Sequence, residues 1–249
     1  MHWKDEGVVL ATRAHGENAS VIEVFTRSHG RHLGLVMGGR SRRMRPVLQP
    51  GNHVEMTWRA RLEEHLGLAT LELRRGYAAS AIESPMSLAA ISSMAELLRM
   101  LPERDPHPNL FEITLFVLEY LCEPAMLGAL MVRWELALLD DLGFGLELDR
   151  CAATGAREDL VFVSPKSGRA VSRAAGEPYA DRLLSLPVFL RGGPAGNVNG
   201  EDLAAGLRLT GHFLLDRALK PRGLELPEPR QRFAAAARRA LEAAGRAAV

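Results

Sequence analysis

The 249-residue chain is long enough for one large or two small domains, and its composition, 47% hydrophobic and 24% charged, is ordinary for a globular protein. Its net charge of +1 conceals a basic segment at 1–80 (+4), an acidic middle at 81–150 (−8) and a basic end at 151–249 (+5), which indicates regions with different partners. No apolar stretch approaches the roughly 20 residues of a membrane span, and two cysteines cannot form a disulfide framework, so we expect a cytoplasmic protein.

Residues 1–80 are predicted to form β-strands. Short β-branched and apolar runs alternate with turn residues, and residues 20–37 are predicted as a hairpin. In the next run Val54, Met56 and Trp58 point to one face, as expected for a half-buried strand. Five short strands with no helix among them favour a small closed barrel, of the OB-fold type or, on pattern alone, an SH3-like one.

Helices are predicted after Tyr77. Ser84-Pro85 has the composition of an N-cap followed by proline at the first helical position, and further helices are expected at 108–122, from Pro124, and at 201–219. A short strand is expected at 160–163 within a polar, turn-rich segment. The Ala/Arg-rich tail at 226–249 is predicted to be either a solvated helix or frayed.

An arginine-rich loop is the most distinctive local feature. Between two predicted strands, Gly38-Gly39 is followed by four arginines within six positions, namely Arg40, Arg42, Arg43 and Arg45. Unpaired guanidinium groups are too costly to bury, so these side chains are expected to project into solvent, where they suit phosphate oxygens and can stack on bases. A nucleic-acid surface is favoured, with a solvated loop or an acidic protein partner as the alternatives.

Catalytic and metal signatures are not recognised. The glycine-rich run 192–200 lacks the Lys-Ser/Thr ending of a phosphate-binding loop, there is no Gly-x-Ser-x-Gly motif, and Cys122 is expected in a helix core. Six histidines in the first 65 residues are interpreted as polar surface residues. We therefore expect a protein that is not an enzyme. Around 151–178 two knuckle-like turns would make a zinc ribbon if Thr154, Ser172 and Ala175 were cysteines like Cys151.

Several of these segments together resemble the RecO family of bacterial recombination-mediator and DNA repair proteins. The matching motifs in the first half are Trp3-x-Asp5-Glu6-Gly7-Val8-Val9-Leu10, His15-Gly16-Glu17, Gly38-Gly39-Arg40-Ser41 and Leu48-Gln49-Pro50-Gly51. Those in the second half are Arg133-Trp134-Glu135-Leu136-Ala137-Leu138-Leu139, Leu142-Gly143-Phe144-Gly145 and Ser164-Pro165-Lys166-Ser167-Gly168. The resemblance extends in order from residue 3 to about residue 220.

The resemblance implies an α+β, multidomain architecture. It comprises an N-terminal OB-fold barrel at 1–80 and a helical domain at 81–225, interrupted at about 151–178 by a degenerate zinc-ribbon-like hairpin, before the tail at 226–249. Many members carry a four-cysteine zinc motif there, of which only Cys151 matches. The chain therefore resembles a zinc-free subgroup, with no metal and no cofactor.

The resemblance also implies a function and partners. RecO proteins bind single- and double-stranded DNA, anneal complementary strands and, with RecR, help to load RecA onto DNA coated by single-stranded DNA-binding protein. By analogy the four loop arginines are DNA-binding residues, and we expect the neighbouring side chains of Arg27 and Arg31 to help neutralise the phosphates. The C-terminal tail of single-stranded DNA-binding protein would meet Arg133 and Trp134, unless Arg133 pairs with Glu135 or another nearby acid. The alternative is an adaptor that links RecR to that tail without binding DNA.

Overall fold

A computed structural model describes residues 1–62, 64–192 and 198–247, with side chains as far as residue 241. Part of the glycine-rich run at 192–200 therefore lies outside the described residues. The chain divides into two compact units, Met1–Cys122 and Glu123–Val249. The architecture is α+β, with an N-terminal β-barrel followed by helices, as predicted.

The first unit is built around a closed barrel of five strands in the order β1-β2-β3-β5-β4. The strands are β1 His2–His15, β2 Ala19–Thr26, β3 Gly30–Val36, β4 His53–Arg59 and β5 Leu68–Arg75. All neighbouring pairs are antiparallel except β3 and β5, which meet in parallel at Leu35 and Leu68. The predicted hairpin at 20–37 is confirmed as β2 and β3.

Alternating apolar side chains fill the barrel. Val54, Met56 and Trp58 all point inward and are fully buried, as the pattern of β4 predicted. The indole N–H of Trp58 donates to the carbonyl oxygens of Leu33 and Leu66, at 3.2 and 3.1 Å, so its one polar group is satisfied in the core.

Three helices complete the first unit: α1 Tyr77–Ala81, α2 Pro85–Leu98 and α3 Pro108–Glu119. The Ser84 side chain accepts a hydrogen bond from the Ser87 amide, which confirms the predicted N-cap. Helix α3 ends three residues earlier than expected, and Cys122 is exposed, so its prediction as a core residue was wrong. Residues 81–122 pack with the barrel in one compact unit. The sequence had assigned them to the start of the helical domain.

The second unit combines long helices with a small three-stranded sheet. Its main elements are α4 Pro124–Asp141, β6 Leu160–Val163, β7 Ala170–Ser172, α5 Arg173–Gly176, β8 Leu184–Ser185, α6 Gly200–Phe213 and α7 Glu228–Ala247. Between α6 and α7 the chain passes through a π-helical turn at Leu214–Leu219 and a short 3₁₀ turn at Lys220–Arg222. The tail forms a helix, but it is not the solvated helix that was predicted, because the side chains of Phe233 and Ala237 are fully buried.

A buried ion pair joins α7 to α4. Arg230 donates two hydrogen bonds of 2.8 Å to the carboxylate of Glu135, which also accepts one of 2.5 Å from the Thr210 hydroxyl of α6. The carboxylate is fully buried, so the pair ties three helices together. Among the residues described, no helix is both long and apolar enough to cross a membrane.

Candidate nucleic-acid interface

The arginine-rich loop, residues 37–52 between β3 and β4, is held firmly on the barrel by its apolar side. Leu48 is buried in the barrel core, and Met44 and Val47 pack against it. The buried Asn52 side chain donates to the carbonyl oxygens of Pro46 and Val47, at 2.7 and 3.2 Å. The loop backbone is therefore a fixed platform, and it sets where the arginine side chains start before any ligand binds.

The arginines occupy the opposite, solvent side of the loop. Arg42, Arg43 and Arg45 are exposed, and none has a hydrogen-bond or ion-pair partner among the described residues. Arg40 is exposed as well, and it donates to the carbonyl oxygens of Gly16 and Glu17 in the β1–β2 turn, at 3.0 and 2.9 Å. Three unpaired cations beside a fourth, anchored one form a surface of concentrated positive charge.

Arg31 and Arg27 lie elsewhere. Arg31 begins β3 and the loop follows its end, so about five residues, or roughly 17 Å of strand, separate the two. The Arg31 guanidinium is largely buried, ion-paired with Glu23, and donates to the Leu101 carbonyl oxygen. Arg27 lies between Glu6 and Glu112, at 3.4 and 2.7 Å. The structure does not bring these two residues together with the loop arginines. Both are also engaged in ion pairs with acidic neighbours.

Arg133 and Trp134 occupy very different environments in α4. Trp134 is fully buried, so its ring packs the core of the second unit and is not available to a partner in this structure. Arg133 is half-buried and donates a 2.7 Å hydrogen bond to the Phe189 carbonyl oxygen. The acid considered as its partner, Glu135, is instead paired with Arg230. Arg133 is thus partly exposed, whereas Trp134 is not.

The segment that resembles a zinc ribbon is a β6–β7 hairpin with a thiol at its base. The Cys151 sulfur lies 3.5 Å from the Ser172 hydroxyl and accepts a 3.3 Å hydrogen bond from the Ser172 amide. The four knuckle positions thus supply one thiol, two hydroxyls and the methyl group of Ala175. This donor set does not fit the thiolate and imidazole preferences of a structural zinc ion.

Hydrogen bonding changes the acidity of Cys151. Burial acts to raise the pKa of its thiol, but hydrogen bonds from the side chains and backbone of Ser172 and Thr154 outweigh that effect and lower the pKa to about 6. The position that holds a metal ligand in the zinc-binding pattern therefore has a thiol whose charge is stabilised by neighbouring hydroxyls.

Of the six histidines that were interpreted as surface residues, His2, His15 and His65 are exposed, whereas His32 is not. His32 is buried, with its ring edge-on to Trp58 at 4.7 Å, so its interpretation as a surface residue was wrong. Desolvation by burial lowers its pKa, which keeps the ring neutral at neutral pH. A signal was available in the sequence, because His32 alternates with outward residues along β3 and so shares the inward face.

Two models of known protein families match most of the chain. The family model described as "Recombination protein O N terminal" matches residues 1–77, and the model "Recombination protein O C terminal" matches residues 83–224. The first match spans the five barrel strands and the arginine-rich loop, and the second ends before α7.

Curated proteins named "DNA repair protein RecO" are similar over nearly the whole length. That of Chelativorans sp. (strain BNC1) is 54% identical over 241 residues, which is 97% of this chain and 97% of the relative. That of Sinorhizobium medicae (strain WSM419) is 52% identical, covering 98% of each chain. That of Brucella abortus (strain 2308) is 49% identical over 97% of this chain and 98% of the relative.

Proposed function

The chain belongs to the RecO family of DNA repair proteins, and on that premise we propose that it binds single- and double-stranded DNA and anneals complementary strands. The observation that carries the proposal is the fixed loop with three exposed arginines that have no partner within the part of the chain that the structure describes. A surface prepared in this way meets phosphates without the cost of first breaking internal ion pairs.

We further propose that the barrel is an OB-fold. Its closed order β1-β2-β3-β5-β4, with β3 and β5 parallel and the other pairs antiparallel, supports this assignment. OB-folds bind nucleic acids along the barrel with cationic and aromatic side chains. In this proposal residues 1–80 are the nucleic-acid-binding domain, residues 81–225 are the helical domain, and residues 226–249 are the tail.

The mechanism of annealing is electrostatic and geometric. Two complementary strands repel each other through their phosphates, and the cations of the loop neutralise part of that charge where the strands meet. Base pairing itself supplies the sequence recognition, so the protein does not have to read base edges. Arg40, Arg42, Arg43 and Arg45 are the residues assigned to phosphates, and no chemical step is assigned to any side chain.

Reversing the charge of the loop tests this function. The double variant Arg42→Glu/Arg43→Glu is expected to lose at least tenfold in DNA affinity and most of its annealing rate, since two attractive contacts become repulsive. A matched control is Arg150→Glu/Arg157→Glu, which makes the same change in net charge at two exposed arginines of the second unit. Annealing that is equal in the two variants would contradict the proposal.

Measuring tail-peptide binding beside DNA binding and annealing separates the proposal from the adaptor alternative. In the proposed pathway the protein acts with RecR to help load RecA onto DNA coated by single-stranded DNA-binding protein, and Arg133 receives the acidic C-terminal tail of that protein. A cation beside apolar side chains suits a terminal carboxylate. Arg133→Ala should weaken binding of the isolated tail peptide and leave annealing of bare strands unchanged. A wild-type chain that binds the peptide but shows no DNA binding at low salt would favour the adaptor.

A further inference from the structure

A second, smaller site lies on the first unit, away from the arginine-rich loop. A cleft of about 500 Å³ is lined by His2, Trp3, Ser28, His29, Trp58 and Arg104. It lies by the turn between β2 and β3, whereas the arginine-rich loop follows the other end of β3. The cleft combines aromatic rings with a cation, which is a combination that nucleic-acid bases and phosphates both match.

Three rings in the cleft are stacked. The Trp3 ring lies 4.1 Å from the His29 ring and 5.5 Å from the Trp58 ring, and it is nearly parallel to both. Trp58 is fully buried, whereas the His29 side chain is 34% exposed. His29 is oriented by Asp5, whose carboxylate lies 2.8 Å from Nδ1. The run of rings therefore starts in the barrel core and ends at an imidazole that reaches solvent.

Arg104 is placed at the cleft by a constrained turn. Its backbone has a φ of 62°, the left-handed region that costs energy for residues other than glycine. Its amide donates a 2.9 Å hydrogen bond to the Arg31 carbonyl oxygen, which fixes the turn on the start of β3. The approach is so close that a Cβ on Gly30 would lie 2.1 Å from the Asp105 carbonyl oxygen.

The guanidinium of Arg104 has no hydrogen-bond or ion-pair partner in the described part of the chain. The neighbouring carboxylates are engaged elsewhere: Asp105 lies 3.6 Å from His107, and Glu103 lies 3.8 Å from Arg31. Asp5 accepts from His29 and from the Ser28 amide. A half-buried cation held in a strained backbone conformation, without an internal partner, has no structural role to explain its position.

We propose that this cleft binds one nucleotide of a single DNA strand, with the base stacked on His29 and the adjoining phosphate paired with Arg104. The inference rests on the proposed function, since it assigns a strand-selective contact to a protein proposed to bind DNA. A paired base cannot enter, because in a duplex its faces are covered by its neighbours. The loop arginines contact phosphates of either form, and the cleft adds a preference for single strands.

The test compares single-stranded and duplex affinity in two variants. Arg104→Gly removes the cation and relieves the backbone strain, and His29→Ala removes the stacking surface. Each is expected to weaken binding of a thymidine oligonucleotide by about tenfold, the usual contribution of one stacked base or charge-assisted contact, with duplex affinity unchanged. Glycine adopts the left-handed backbone of this turn without steric cost, so a melting temperature close to that of the wild type would show that weaker binding does not come from unfolding.

A direct readout is photocrosslinking with an oligonucleotide that carries 5-iodouracil. Crosslinked peptides should contain His29 or Trp3, and Arg157→Ala, an exposed arginine of the second unit, should leave the yield unchanged. Crosslinks confined to the loop, together with unchanged affinity in both cleft variants, would overturn the inference and leave the proposed function intact. A wild-type chain that binds neither form of DNA would overturn both.

Discussion

At the scale of single residues, Cys151 shows how one position in a metal-binding pattern can be maintained without the metal. The hydroxyls and amides of Ser172 and Thr154 surround the sulfur and stabilise its thiolate, as a metal ion would. These groups belong to the same two knuckles that would hold zinc. The hairpin therefore retains a polar contact at its base in place of four metal–ligand bonds.

The lowered pKa of Cys151 predicts a measurable titration. In a Cys122→Ser background the thiolate absorbance should appear with a midpoint near pH 6, and Ser172→Ala should move that midpoint upward because the hydrogen bond of the Ser172 hydroxyl is lost. A cysteine in the unfolded chain titrates near 8.5. The unfolded state thus binds more protons between pH 6 and about 8.5, so stability should rise across that window and be lost as the pH falls through 6.

Equal midpoints for the parent and the Ser172→Ala variant would contradict this account of Cys151. The variant Ser164→Ala is a suitable control. Its hydroxyl lies in the same hairpin but accepts from the Ser167 amide and has no contact with Cys151 among the interactions described.

At the scale of secondary-structure elements, helix α7 depends on one buried charge. Its Arg230 meets Glu135 of α4 in a fully buried, bidentate pair, and Thr210 of α6 shares the same carboxylate. Removing one partner of such a pair leaves the other charge buried without compensation, whereas exposed pairs contribute little. We therefore expect the whole of α7 to detach when one partner of the buried pair is removed.

The prediction is that Glu135→Ala costs about 3–5 kcal/mol of unfolding free energy, measured by urea denaturation. Arg232→Ala is the control within α7, since it breaks an exposed pair with Glu228 and should cost less than about 1 kcal/mol. Hydrogen exchange should show the added opening in α7 and α6 of the Glu135 variant. Equal costs for the two substitutions would show that the buried pair does not hold the helix.

Elements with local signals were predictable from sequence, and those set by distant contacts were not. Ser84-Pro85 and Pro124 fix the starts of α2 and α4 through capping and proline geometry, which depend on neighbouring residues alone. The loop arginines were placed correctly on the surface because unpaired charge cannot be buried. The partners of Arg31 and Arg230 come from residues far along the chain, so their burial could not be inferred from composition.

The aromatic and cationic cleft was missed for the same reason. Trp3 and His29 come together through the register of β1 beside the β2–β3 turn, and Arg104 reaches them from a turn that lies far later in the chain. No short sequence motif predicts that these three side chains lie together. The only local hint was the aromatic and histidine content of the first strand pair, which is equally typical of a packed barrel.

At the scale of the whole molecule, the net charge is small and positive charge is concentrated in local clusters. A net charge of +1 gives little long-range attraction to DNA, so affinity has to come from local clusters. The acidic middle segment reinforces this, since DNA is repelled where the carboxylates are exposed. We therefore expect DNA affinity to follow the loop charge and not the overall charge of the protein.

Salt dependence separates these two possibilities. With the four loop arginines and Arg104 at roughly 0.7 released counterions each, the slope of log K against log salt for single-stranded DNA should be near −3.5. Arg42→Glu/Arg43→Glu and Arg150→Glu/Arg157→Glu both change the net charge from +1 to −3, because each replaces two positive charges with two negative ones. The loop variant should show a slope of about −2 or flatter, since at most three contacts remain. The control should keep the wild-type slope, and a parallel loss in both variants would mean that the overall field, and not the arginine-rich loop, governs binding.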